Sequence, residues 1–128
     1  MIELEVDVPG IPPNPNARLH RMAGARIRKE FRRWSQMAAL SAISDSGHAD
    51  DFPLERARVE ATFFFKTKRR RDEDNLIASL KPLIDGLVDA GVLVDDDLSR
   101  LSLATPEVRV VAKSPRYEGV RLFVVEVQ

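Results

Sequence analysis

The sequence predicts an α+β domain: a mixed sheet of about four or five strands with two helices packed on it, in the order β-α-β-α-β-β. A stretch of period two opens the chain, a strand-length apolar run closes it, and two stretches of helical period lie between them. Beyond the second helical stretch, strand follows strand with no helix intervening, which separates this class from a simple alternating fold. At 128 residues the chain has room for one core, so residues 1–128 read as a single domain without linker or repeat.

Ile2, Leu4, Val6 and Val8 alternate with Glu3, Glu5 and Asp7, placing one face of a first strand on a core and the other in water. Pro9-Gly10-Ile11-Pro12-Pro13-Asn14-Pro15-Asn16 lacks the donors that a regular ladder needs and reads as an extended or turning connector. From about Ala23 to Ser44, Ile27, Phe31, Trp34, Ala38 and Ala42 recur at helical spacing, with Met37 widening the stripe. Trp34 is therefore expected in the core. Arg28, Lys29, Arg32 and Arg33 fall away from the stripe, either as a solvated face or as a track for phosphates. Gly47 can close the last turn, and Asp50, Asp51 and Pro53 continue a polar loop.

Val59, Ala61, Phe63 and Phe65 share one parity and Arg58, Glu60, Thr62 and Lys66 the other, which makes a second strand with Phe64 as the exception. The three phenylalanines are expected to pack rather than to stack on bases. Leu76, Ile77, Leu80, Leu83, Ile84, Leu87 and Val88 form the second helical stripe, ending near Ala90-Gly91. Pro82 removes the bond to the Ala78 carbonyl, so this helix should kink between Ala78 and Pro82 or restart with Pro82 in a first turn. Leu101 with Leu103, and Val108, Val110 with Ala112, read as further strands; Ser114 to Gly119 reads as a turn. Val120 to Val127, apolar on both parities, reads as a central strand.

Lys plus Arg and Asp plus Glu number 20 each, so the whole molecule has no net charge to steer it toward nucleic acid. The charge is nonetheless segregated. Arg18 to Arg33 is almost wholly basic, whereas Asp72 to Asp97 holds acids against Lys81 alone. With no cysteine there can be no disulfide, thiolate nucleophile or Cys-bound zinc. The start Met1-Ile2-Glu3-Leu4-Glu5 does not resemble a signal peptide, and no segment approaches membrane-spanning length. The expected setting is cytoplasmic, with no membrane partner.

The stretch with most chemistry is Lys66-Thr67-Lys68-Arg69-Arg70-Arg71-Asp72-Glu73-Asp74-Asn75, followed one helix later by Asp95-Asp96-Asp97. Asp72 and Asp74, two residues apart, point the same way in an extended segment, roughly 7 Å apart along the chain. Two such carboxylates can share a hard cation such as magnesium. They can equally cap a helix and complement its dipole. Asp95 to Asp97 can likewise be a plain polar turn. If the second helix returns the chain so that both clusters meet, a divalent ion would relieve their repulsion. Lys68, Arg69, Arg70 and Arg71 beside them could hold phosphates. His20 and His48 lack metal-ligand spacing, and neither a glycine-rich phosphate loop nor G-x-S-x-G occurs.

Arg70-Arg71-Asp72-Glu73-Asp74-Asn75-Leu76, Lys81-Pro82-Leu83-Ile84-Asp85-Gly86-Leu87 and Ala90-Gly91-Val92-Leu93-Val94-Asp95-Asp96 together resemble the RusA family of Holliday-junction resolvases. Pro12-Pro13-Asn14-Pro15-Asn16 is similar to that family's proline-rich loop ending in Asn. The resemblance implies a homodimer that binds four-way DNA junctions and makes paired cuts with magnesium or manganese. It implies Asp72, Asp74 and Asp96 as metal ligands and Lys81 as the basic residue near the scissile phosphate; Lys68, Arg69, Arg70 and Arg71, with Asn16, are the expected contacts to the DNA. In the usual pattern the lysine stands three places after the Asn; here that slot is Ala78 and Lys81 follows one turn later, a displacement of roughly 4.5 Å along a helix. The alternative expectation is a non-catalytic protein recognising branched DNA.

Overall fold

In chain order the elements are β1 (Glu3–Pro9), α1 (Arg21–Ser46), a short 3₁₀ turn (Ala49–Asp51), β2 (Ala57–Phe65), α2 (Glu73–Ser79), α3 (Lys81–Asp89), β3 (Leu101–Leu103), β4 (Glu107–Val110) and β5 (Gly119–Glu126). This computed structural model describes residues 1–15, 21–97, 99–111 and 118–128, the side chain of Arg21 excepted. Asn16, His20, Ala112 and the expected turn at 114–117 lie outside the described residues. Among the described residues no helix is long and apolar enough to cross a membrane.

The architecture is α+β with a five-stranded mixed sheet, as the patterning requires. β5 lies between β1 and β2 and is antiparallel to both, which explains its apolar residues on both parities. β3 and β4 run parallel to β2, β3 beside Ala57–Val59 and β4 beside Thr62–Phe65. Pro106 stands between them and cannot donate to a ladder, so one edge of the sheet is made of two short strands. Leu4, Val6, Val8, Val59, Phe63, Val120, Leu122 and Val124 form the buried face, packed with the helices into one core. On the opposite face the guanidinium of Arg121 reaches Glu5 and Asp7 at 2.9 Å and lies 5.6 Å from the Phe64 ring centroid. Phe64, the exception to the parity, is thus buried on the outer face under an arginine.

The second helical stripe is divided at Leu80, and Pro82 sits in the first turn of α3, where its missing N–H costs no intrahelical bond. Leu80 N–H closes α2 on the Ile77 carbonyl at 3.1 Å, and its own carbonyl accepts from Ile84 at 2.9 Å to open α3. Of the two outcomes that Pro82 allowed, the chain takes the restart.

The stripe of α1 holds at Ile27, Phe31, Ala38 and Ala42, which pack on the core, and departs from the expectation at Trp34 and Met37. Trp34 and Met37 are exposed at 39% and 57%, while Ser35 and Ala39 are fully buried. Small residues occupy the seat because α3 comes very close: a Cβ at Gly86 would strike the Arg32 carbonyl oxygen and lie 2.6 Å from Ser35 Cβ. Ser35 Oγ donates to the Leu83 carbonyl at 2.7 Å, so its burial leaves no polar atom unsatisfied. Trp34 is displaced to the flank, with its ring edge against Phe31 at 5.0 Å. Gly86→Ala should therefore destabilise by about 1–3 kcal/mol, despite alanine's better helix propensity, because two helices must move apart. Urea unfolding of the variant measures this directly.

Candidate functional site

β2 ends at Phe65, and the chain leaves the sheet as the basic run 66–71. Lys66 N–H donates to Glu118 at 2.9 Å, which fixes the exit against the start of β5. Arg71 then folds back. Its guanidinium carbon lies 3.5 Å from the Phe65 ring centroid, and its N–H groups donate to the carbonyls of Arg69 at 3.1 Å and Thr67 at 3.0 Å. A planar cation stacked on an aromatic face and bonded to two carbonyls shapes the loop from within. Burial, reinforced by the nearby charge of Arg69, lowers its pKa. Lys68, Arg69 and Arg70 remain exposed.

Asp72 is the N-cap of α2: its backbone is extended and its Oδ1 accepts from Asp74 N–H at 2.9 Å. Glu73 and Asp74 occupy the first turn, so all three acids serve the helix start in the way their spacing allowed. Asp72 and Asp74 are both exposed.

An open cleft of about 310 Å³ lies at this junction. Ile11, Pro12 and Asn14 of the proline-rich connector form one wall, and Arg69, Arg70, Arg71, Asp72 and Asn75 the other. Segments more than fifty positions apart in sequence thus share one opening, and it presents cations and a carboxylate over an apolar base of Phe65 and Leu76. Pro13 and Pro15 turn the other way, into a second hollow with Arg28, Lys29, Arg32, Ala78 and Lys81. The basic face of α1 and the lysine of the resemblance therefore meet, and Ala78 lies in the same hollow.

Lys81 Nζ bridges Asp85 Oδ1 at 2.9 Å and the Asp96 carboxylate. Hydrogen bonds to Asp96 and then Asp85 raise the lysine's pKa, while the same lysine, aided by Asp95, lowers that of Asp96. Arg32 continues the chain of charges to Asp89 at 2.6 and 2.9 Å. The position of Asp96 is set by backbone: Leu54 N–H donates to Val92 O at 2.8 Å and Leu54 O accepts from Val94, pinning the segment just before the acidic run. Asp97 accepts from Ser99 N–H, the polar turn that its sequence also permitted. Asp85, within the stretch that carries the resemblance but given no role there, was legible in the sequence as the i+4 partner of Lys81.

The structure joins Asp72 to Asp74 and Lys81 to Asp96, but it does not gather all four. Among the described residues no group of three or more Asp, Glu or His is placed to hold a metal ion. A magnesium ion needs no such group, since it is commonly held by one or two carboxylates and keeps several waters. The pair Asp72 and Asp74 fits that donor chemistry, with Asp72 Oδ2 and both oxygens of Asp74 outside the cap bond. Asp96, held by Lys81, does not complete a three-carboxylate set within this chain. In comparisons with known proteins, no family model and no curated protein matches the chain.

Proposed function

We propose that the chain is a magnesium-dependent endonuclease that cuts branched DNA, with the four-way junction as its substrate, a homodimer as its working form and manganese as an alternative ion. The observation that carries this reading is the cleft in which Arg69, Arg70 and Asp72 face the proline-rich connector. Phosphodiester hydrolysis needs cations to hold the backbone and carboxylates to hold a divalent ion within reach of one phosphate, and those types meet there. Arg69 and Arg70 bind phosphate oxygens, and Arg71 keeps the loop in shape for them. Asp72 and Asp74 hold the ion, whose chemistry when bound is to offset phosphate charge and acidify a water molecule. Arg28 and Lys29, in the adjoining hollow, extend the cationic track along the nucleic acid, with Lys81 beside them in its bridge to Asp85 and Asp96.

A second reading is favoured by one observation: Asp72 already has a structural occupation as a helix cap. In that reading the protein binds branched DNA without cutting it. Incubation with a synthetic four-way junction, with magnesium and with chelator, separates the two. Paired nicks in magnesium and intact bound junction in chelator are expected; binding without nicks in either magnesium or manganese would establish the non-catalytic reading.

A further inference from the structure

β4 pairs with β2 along one side, and among the described residues nothing pairs with its other side. Val111 N–H donates to the Phe65 carbonyl at 2.8 Å, so in this parallel ladder Glu107 and Arg109 also turn their backbone groups toward β2. Val108 and Val110 consequently turn theirs outward. All residues of β4 are exposed, these valines at 40% and 45%. A bare edge bearing two apolar side chains is a template for another strand.

The order of charges in Glu107-Val108-Arg109 identifies which strand. Under a two-fold axis through Val108, an antiparallel copy sets Glu107 against Arg109 of the second copy, and Arg109 against its Glu107. Moving the axis to either neighbouring residue sets arginine against arginine or glutamate against glutamate, which is destabilising across a sheet. The axis at Val108 also satisfies the backbone, because that residue's N–H and carbonyl both face out and can exchange bonds with the same residue opposite. Val110 N–H then meets the Pro106 carbonyl, and the ladder stops at Pro106 for want of a donor.

We propose that two copies of this chain associate edge to edge through β4, with the axis at Val108, so that their sheets become one continuous sheet. Glu107 and Arg109, paired with each other at 2.9 Å within the single chain, exchange partners across the axis. The axis stands perpendicular to the sheet, so the helices of both copies lie on the same side. Three strand spacings and the antiparallel offset place the two Phe65 residues, and the clefts beyond them, roughly 20 Å apart. The pairing does not depend on the nuclease reading; only its use, two matched cuts in one junction, rests on it.

Reciprocal charge reversal tests the register. Wild type should sediment as a dimer at micromolar concentration, and Glu107→Arg and Arg109→Glu should each weaken that dimer by about tenfold or more. Mixed in equal amounts, the two variants should recover it, since each then offers the other's complement. Both positions are exposed, so folding is not at risk, and circular dichroism verifies it. A monomeric wild type, a dimer indifferent to both reversals, or a mixture that stays dissociated would each overturn the proposal. Junction cutting measured on the same samples keeps the readings apart: a wild-type dimer that responds as expected but never cuts upholds the edge pairing and removes the nuclease.

Discussion

Asp72→Asn is expected to abolish junction cutting, by on the order of 100-fold or more, while costing the fold only a few tenths of a kcal/mol to about 1 kcal/mol through the lost charge at the helix dipole. Asparagine caps a helix about as well as aspartate, so the bond that Asp74 N–H makes to position 72 survives the change. What disappears is one negative charge and its affinity for a hard cation. Asp72→Ala removes the cap as well, and should cost about 1 kcal/mol of stability in addition to activity. Asp74→Asn, in the first turn and with its side chain outside the cap bond, should match Asp72→Asn in activity and lose only a few tenths of a kcal/mol to about 1 kcal/mol from the helix dipole. Turnover on a synthetic junction, read beside urea unfolding, distinguishes the roles. If Asp72→Asn cuts like wild type and only Asp72→Ala suffers, through stability, these carboxylates are caps and nothing more.

The largest effect on stability belongs to Phe63→Ala, at about 3–5 kcal/mol. Phe63 is fully buried at the centre of β2, its ring stacked on Phe65 at 6.0 Å, with Val120 and Val108 opposite it on neighbouring strands. Truncation leaves a hole lined by strands whose ladders prevent collapse around it. Since domains of this size are stable by only about 5–15 kcal/mol, the loss would move the urea midpoint substantially. Trp34→Ala is the control. By helical pattern alone it should rank with Phe63; with its indole at the flank of α1 it should cost well under half as much.

That contrast shows where the sequence was legible and where it was not. Alternation along β1 and β2, and the doubly apolar β5, reflect burial by whole faces, which hydrophobicity reports faithfully. The restart at Pro82 was legible because it follows from one absent N–H. Along α1 the stripe was legible at Ile27, Phe31, Ala38 and Ala42, but the burial of Ser35 and Ala39 in place of Trp34 was not, since it depends on how closely another helix approaches. Gly86 draws α3 in until only Ser35 and Ala39 fit beneath it, and no pattern within α1 contains that information. In the candidate site, the meeting of cations and carboxylates was written in consecutive residues from Lys68 to Asp74. The bend of Arg71 onto Phe65, the arrival of Asn14 in the cleft and the capture of Asp96 by Lys81 are tertiary events. The last of these also explains why three aspartates that look alike in the sequence are unlike in the fold: two are solvated at a helix start, and the third is neutralised by a cation.

The break at Leu80 divides one amphipathic stretch into parts of very different firmness. α3 is seated against α1 through Gly86, Leu83 and Leu87, whereas α2 buries only Ser79 fully and runs for seven residues. Local opening is easiest where buried contacts are fewest, so the amides of α2 should exchange with solvent far sooner than those of α3. Asp72 and Asp74 ride on this compliant cantilever, and Lys81 stands at its rigid root. A ligand held by Asp72 and Asp74 would sit on the part able to adjust, while Lys81 stays anchored in the neighbouring hollow.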